Sequence, residues 1–98
     1  MTIDKVKDGE NLVLKVSGRL DTTTAPELEE AIRTSIDGVT NLTFDLSELE
    51  YISSAGLRVL LSSHKNMAGQ GTMTVTGVNE TVMEIFEVTG FSDILDIR

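Results

Sequence analysis

Ile3-Asp4-Lys5-Val6 alternates apolar and polar residues near the start of the chain, and Leu12-Val13-Leu14-Lys15-Val16 follows as a second short run, largely apolar. A period of two marks a strand with one face buried. Asp8-Gly9-Glu10-Asn11 between them reads as a turn, so the pattern predicts an antiparallel hairpin whose second strand ends at Gly18. The period then changes. Thr24-Ala25-Pro26-Glu27 has capping-box spacing, with Thr24 as N-cap and Glu27 reaching back. Pro26 falls in the first turn, where a missing N–H does no harm. Leu28, Ala31, Ile32 and Ser35 or Ile36 keep a helical stripe, Glu27, Glu29, Glu30 and Arg33 take the wet side, and Gly38 is the expected stop.

Leu42-Thr43-Phe44-Asp45-Leu46 is a short apolar run and predicts a buried strand. A loop from Ser47 to Ser53 should follow, turning Leu49 and Ile52 inward. From Ser54 the helical period returns, with Leu57, Leu60, Leu61 and then Met67 or Ala68 on one face, until Gly69-Gln70-Gly71 breaks it. Met73-Thr74-Val75-Thr76 is a further strand, closed by Gly77. Asn79 should cap a third helix with Val82, Ile85, Phe86 and, at its margin, Val88 inward, and Gly90 in the C′ position. Ile94-Leu95-Asp96-Ile97 ends as a short strand or an irregular tail. Helices between the later strands imply right-handed crossovers and parallel pairing. The expected fold is therefore a single α/β sandwich over residues 1–98. It has about four strands in a mixed sheet, an N-terminal β-hairpin, and three or more helices mainly on one face.

Composition narrows the function. A chain of 98 residues makes one domain and can bury roughly 60–65% of its unfolded surface. It has no cysteine, which excludes disulfides and thiolate metal sites and suits the cytosol. Met1-Thr2-Ile3-Asp4-Lys5 lacks the apolar run of a signal peptide, and no stretch approaches the ~18 apolar residues of a membrane span. A soluble, cytoplasmic protein is expected. Sixteen acidic residues against eight basic ones leave a formal charge of −8. Such a surface repels phosphate backbones and anionic lipid, so neither nucleic acid nor membrane is an expected partner.

No catalytic constellation is visible. The one histidine, His64, lies ten positions from Ser54, roughly 15 Å along a continuous helix and beyond hydrogen-bond reach. His64 is expected to be a boundary residue on the second helix. Glu27, Glu29 and Glu30 have the spacing of a solvated helix face, and nothing has zinc- or calcium-ligand spacing. Gly69-Gln70-Gly71 follows a helix and precedes a strand, the reverse of a phosphate-cradling loop. No catalytic residue, metal or cofactor is therefore expected.

One segment does suggest chemistry performed by another protein: Tyr51-Ile52-Ser53-Ser54-Ala55-Gly56-Leu57-Arg58. A serine at a helix N-terminus meets free N–H groups and the positive end of the helix dipole, which stabilise a phosphate. Small neighbours, Ala55 and Gly56, leave its hydroxyl open. Gly56 at a helix start costs ~1 kcal/mol relative to alanine and asks for a reason, such as close approach by a partner or by neighbouring backbone. Serine is equally a preferred N-cap, and two serines before an apolar helix need no further purpose.

The whole chain resembles a STAS domain of the bacterial anti-sigma-factor antagonist family. Gly18-Arg19-Leu20-Asp21 with Thr24-Ala25-Pro26-Glu27-Leu28 is similar to the family's Gly-x-Leu/Ile-Asp and Ala-Pro-x-Leu segment. Leu42 to Ser47 is similar to its central strand ending in Asp-Leu. Ile52 to Leu57 is similar to its Asp-Ser-Ser/Thr-Gly-Leu phosphorylation turn, and Phe86 to Phe91 to its Phe-x-x-x-Gly-Leu/Phe ending. The resemblance makes Ser54 the phosphoacceptor and places Ser53 where the family carries aspartate. It implies that Asp21 lies near the acceptor, although a loop cap is an equally open role for that residue. The expected partner surface comprises Asp21, Thr22, Thr23, Ser53, Ser54, Ala55, Gly56, Leu57 and Arg58.

The implied mechanism is a switch. The unphosphorylated form binds an anti-sigma factor, itself an ATP-binding serine kinase, and frees a sigma factor. Phosphorylation of Ser54 ends the binding, and a serine phosphatase restores it. Two other functions remain open at this point. One is a STAS subunit of a lipid-transport ABC complex or stressosome-like assembly, and the other is an enzyme or nucleotide-binding protein in its own right.

Overall fold

Strict alternation makes the second strand the spine of the sheet. In the computed structural model, which describes residues 1–98, β2 (Asn11–Leu20) buries Leu12, Leu14, Val16 and Leu20 and leaves Val13, Lys15 and Ser17 half-exposed. β1 (Thr2–Asp8) pairs with it antiparallel through the turn at Gly9, in the register Asp8 to Asn11 and Thr2 to Ser17. β3 (Asn41–Asp45) lies parallel on the other side of β2, and β5 (Thr72–Thr76) lies parallel beyond β3. The helices are α1 (Ala25–Arg33), α2 (Ser54–Ala68) and α3 (Glu80–Thr89).

The α/β sandwich, the hairpin and the parallel later strands agree with the sequence pattern. The sheet is larger than expected, with six strands rather than about four. Part of the expected Ser47–Ser53 loop is a strand, β4 (Leu49–Ile52), and β6 (Asp96–Ile97) adds to β5 at the far edge. β4 was hidden because four residues are too few to display a period, and its hydrogen bonds come from a distant segment. Gly18, expected to end β2, instead lies within it. There φ is +85° and the register shifts, so that residues 18–20 of β2 pair with β4 after residues 11–15 pair with β3.

Several side chains depart from the simple stripes. Leu28 and Ile32 of α1 are buried, but the helix ends at Arg33, short of Gly38, and Ala31, Ser35 and Ile36 are only half-buried. The capping box is not formed, because the Thr24 hydroxyl donates to the Arg19 carbonyl at 2.9 Å and accepts the Asp21 amide at 2.8 Å. In α2, Val59 joins Leu57, Leu60 and Met67 in the core because one flank of this helix meets α1 as well as the sheet. Leu61 is half-buried and Ala68 exposed. Val88 is 87% exposed, since it falls off the Val82–Phe86 line of α3. Gly71, just past the end of α2, has a steric reason to be glycine: a Cβ there would meet the Thr40 carbonyl oxygen at 1.9 Å.

Asn79 ties the third helix to β4. Its side-chain oxygen accepts the Val82 amide at 2.8 Å, capping α3 as expected, while its amide nitrogen donates to the Leu49 carbonyl at 2.7 Å. Asn79→Ala therefore removes a cap and strands a partly buried strand carbonyl. A loss of about 2–3 kcal/mol in urea denaturation is expected.

Candidate functional site

The parallel pairing of β2 with β4 brings two chain turns side by side. Leu20 is in register with Ile52, and the Ser53 amide donates to the Leu20 carbonyl at 2.9 Å. Immediately beyond lie Asp21-Thr22-Thr23 on one side and Ser53-Ser54 on the other. The strand ends thus place together the two segments that the sequence singled out separately.

Each segment has its own local logic. The Asp21 carboxylate accepts the Thr23 hydroxyl at 2.8 Å and the amides of Thr23 and Thr24 at 3.0 and 3.2 Å. This is the loop-cap role, and it leaves Thr22 and Thr23 exposed. Ser53 occupies the N-cap position of α2 with extended backbone, φ −96° and ψ 177°, but its side chain makes no capping bond. Its Oγ is enclosed with no hydrogen-bond partner. Ser54 is the first helical residue and is exposed, with its hydroxyl in no hydrogen bond of the chain.

Ala55 is half-buried, whereas Gly56 and Leu57 are buried. Those two were expected to contact a partner, and the structure corrects this: they pack beneath the site. A Cβ on Gly56 would lie 2.7 Å from Leu20 Cγ and 2.8 Å from Ile52 Cγ1, so the close approach it serves is internal. Arg58 is exposed one turn beyond Ser54. Together with Thr22, Pro26, Glu29, Ala55 and Lys65 it lines a groove of about 450 Å³ between α1 and α2.

Arg19 stacks its guanidinium 4.5 Å from the centre of the Tyr51 ring and lies 4.0 Å from the Asp21 carboxylate. Sequence reading missed this flank of the site. The Arg19–Tyr51 pairing exists only through β4, inside a segment whose sequence predicts a loop. His64 is half-exposed further along α2, at a boundary as expected. No group of three or more His, Asp or Glu side chains is placed to hold a metal ion. No helix is long and apolar enough to cross a membrane.

Similarity to known proteins agrees with the geometry. Residues 2–98 match the family model for the STAS domain. The chain is 32% identical over 97 residues to the anti-sigma-B factor antagonist of Listeria monocytogenes, covering 96% of this chain and 84% of that protein. The crystal structure of an anti-sigma factor antagonist from Mycobacterium paratuberculosis is similar with a TM-score of 0.88 at 27% identity, covering 98% of this chain and 83% of that one. The Bacillus cell fate determinant SpoIIAA in its phosphorylated form is similar with a TM-score of 0.77, covering 99% and 91% of the two chains. At 19% identity that likeness concerns the fold. The chain belongs to the STAS-domain family.

Two expectations follow from the local geometry. Ser53→Ala removes a hydroxyl that bonds to nothing, so stability should stay within about 0.5 kcal/mol of the parent instead of falling by the ~1 kcal/mol usual for a lost serine cap. Gly56→Ala should destabilise by about 1–3 kcal/mol through overpacking against Leu20 and Ile52, despite alanine's better helix propensity. Parallel urea titrations of the two variants measure both.

Asp21 supplies a pH expectation. The Thr23 hydroxyl above all, helped by the amides of Thr23 and Thr24, holds its carboxyl below the ordinary aspartate value. A depressed folded value means that the contribution to stability is complete above the unfolded pKa and is lost as pH falls through the folded one. NMR titration of the Asp21 side-chain carbon should give a low midpoint, and Thr23→Ala should raise it. An ordinary midpoint in the parent protein would contradict the hydrogen-bonded turn.

Proposed function

We propose that this chain is an anti-sigma factor antagonist that acts as a phosphorylation switch. Its unmodified form binds an ATP-binding anti-sigma factor with serine-kinase activity, and phosphorylation of Ser54 ends the binding. The observation that carries this reading is the exposed, unbonded Ser54 hydroxyl at the head of α2, beside the ordered Asp21–Thr23 turn. The names of the related Listeria and Mycobacterium proteins support it. The cytoplasm is the compartment that such a partner requires.

The division of labour follows from what surrounds Ser54. Its Oγ attacks the γ-phosphorus of ATP held by the partner, forming the O–P bond as the bond to the bridging oxygen breaks and ADP leaves. The hydroxyl proton passes to a base on the partner, because no side chain of this chain is hydrogen-bonded to the Ser54 hydroxyl and the nearby Asp21 carboxylate is taken up by Thr23 and Thr24. A phosphatase reverses the state by transferring the phosphoryl group to water. This chain contributes an accessible nucleophile on a rigid helix.

Phosphorylation adds about −1.5 to −2 charges. The helix N-terminus tolerates them at home, so the fold survives while docking changes. The Asp21 carboxylate already stands on the neighbouring turn, brought there by the Leu20–Ile52 register, and any carboxylate of the partner facing Ser54 would add repulsion. About 3 kcal/mol at the interface weakens binding more than a hundredfold.

Ser54→Ala should remain folded and hold its partner permanently, whereas Ser54→Asp should lose at least about tenfold in affinity by calorimetry. Mass spectrometry after incubation with the captured kinase and ATP should find one phosphate, on Ser54. Modification elsewhere would reassign the site. Capture of transporter or stressosome components in place of an ATP-binding partner would replace this reading with that of a subunit of a larger STAS assembly.

A further inference from the structure

Of the eight lysine and arginine side chains, six are engaged within the chain. Lys15, Arg19, Arg33 and Arg98 have carboxylate partners, and Lys5 and Lys7 donate to Ser35. Arg58 and Lys65, both on α2 and both lining the α1–α2 groove, have neither an ion pair nor a side-chain hydrogen bond. In a chain of net charge −8, two unanswered cations on one helix are conspicuous.

Helical geometry places Arg58 over Ser54. Four residues separate them, which is about 40° around the axis and about 6 Å along it. Both are exposed. An acidic group N-terminal to a base at this spacing is the favourable orientation for an ion pair on a helix. The first turn of α2 carries no acidic residue, and Ser53, whose Oγ is enclosed without a partner, makes no capping bond. Neither the first-turn amides nor the guanidinium is thus met by an anion in the unmodified chain.

We propose that Arg58 is the phosphate-holding residue of the switch: once Ser54 is phosphorylated, its guanidinium swings onto the phosphoryl oxygens and fixes the group against the head of α2. This rests on the reading of Ser54 as the acceptor and adds to it a defined geometry for the modified state. The phosphate is drawn toward the α1–α2 groove, in which Glu29 of α1 and Lys65 of α2 are the other charged side chains. Asp21 and Arg19, at the end of β2, are the charged residues on the opposite flank. The modified site thereby presents a fixed, partly neutralised anion rather than a freely rotating one.

The test separates this proposal from its premise by installing phosphoserine at position 54 through genetic encoding, with no kinase involved. Phosphorus NMR then follows the second ionisation of the phosphate. With Arg58 present its midpoint should lie about half a pH unit below that in Arg58→Gln, with Arg58→Lys between them. The Arg58 Nε–H resonance should move along the same titration curve. Arg58 is exposed, so circular dichroism of the unmodified variants should coincide. Superimposable phosphate titrations for the parent and Arg58→Gln, or an Arg58 resonance that ignores the phosphate, would overturn the proposal. Failure of Ser54 as the acceptor would show differently, as an unmodified Ser54 after incubation with the captured kinase and ATP, with the encoded-phosphate titrations unaffected.

Discussion

The short parallel pairing between the end of β2 and β4 is the interaction on which the rest of the site depends. It sets Leu20 beside Ile52 and fixes the Ser53 amide on the Leu20 carbonyl. A helix leaving the sheet at that point has no freedom in where its first turn begins. Gly56 then lets α2 settle directly on Leu20 and Ile52, where any Cβ would collide. Backbone hydrogen bonding aims the serine, and the absent side chain brings the helix down onto the strands. Asn79 adds a third restraint from beneath, by binding the Leu49 carbonyl while it caps α3.

The two sides of α2 serve different ends. Gly56, Leu57, Val59, Leu60 and Met67 belong to the core and its packing. Ser54, Arg58 and Lys65 face outward on a stripe that borders the groove against α1. A charge added on the outer stripe has little leverage on the core, because it meets water, helix N–H groups and a cation rather than buried apolar surface. Such a separation suits a protein that must change its binding surface and keep its fold.

Electrostatics bears on the same point. An acidic chain that gains a further doubly charged group raises its self-repulsion. The Asp21 carboxylate is already satisfied by Thr23 and Thr24, and Glu48 by Lys15, so neither depends on the space around Ser54 for a partner. Arg58 is the free cation nearest in sequence to that serine. Arg19 is different in kind: stacked on Tyr51 and close to Asp21, it is held on the flank of the site as part of the folded surface.

Much of this was legible in the order of residues. Alternation in Ile3–Val6, the apolar run Leu12–Val16, helical spacing from Leu57 to Met67, the Asn79 cap and the Gly90 stop are local signals, each written within a few positions of the chain. They define the element types, the order of the sandwich and a serine at a helix head. What only the tertiary structure decided is non-local. β4 exists because distant Gly18–Leu20 supplies its hydrogen bonds, and Arg19 meets Tyr51 only across that pairing. Gly56 called for a close approach by a partner or by neighbouring backbone, and it is the side chains of Leu20 and Ile52 that fill the space it leaves. Ser53 had the residue type and position of a cap but turns its hydroxyl into an enclosed spot with no partner. Periodicity records which side of an element is apolar; which neighbour lies against that side is settled only when separate segments compete for the same space.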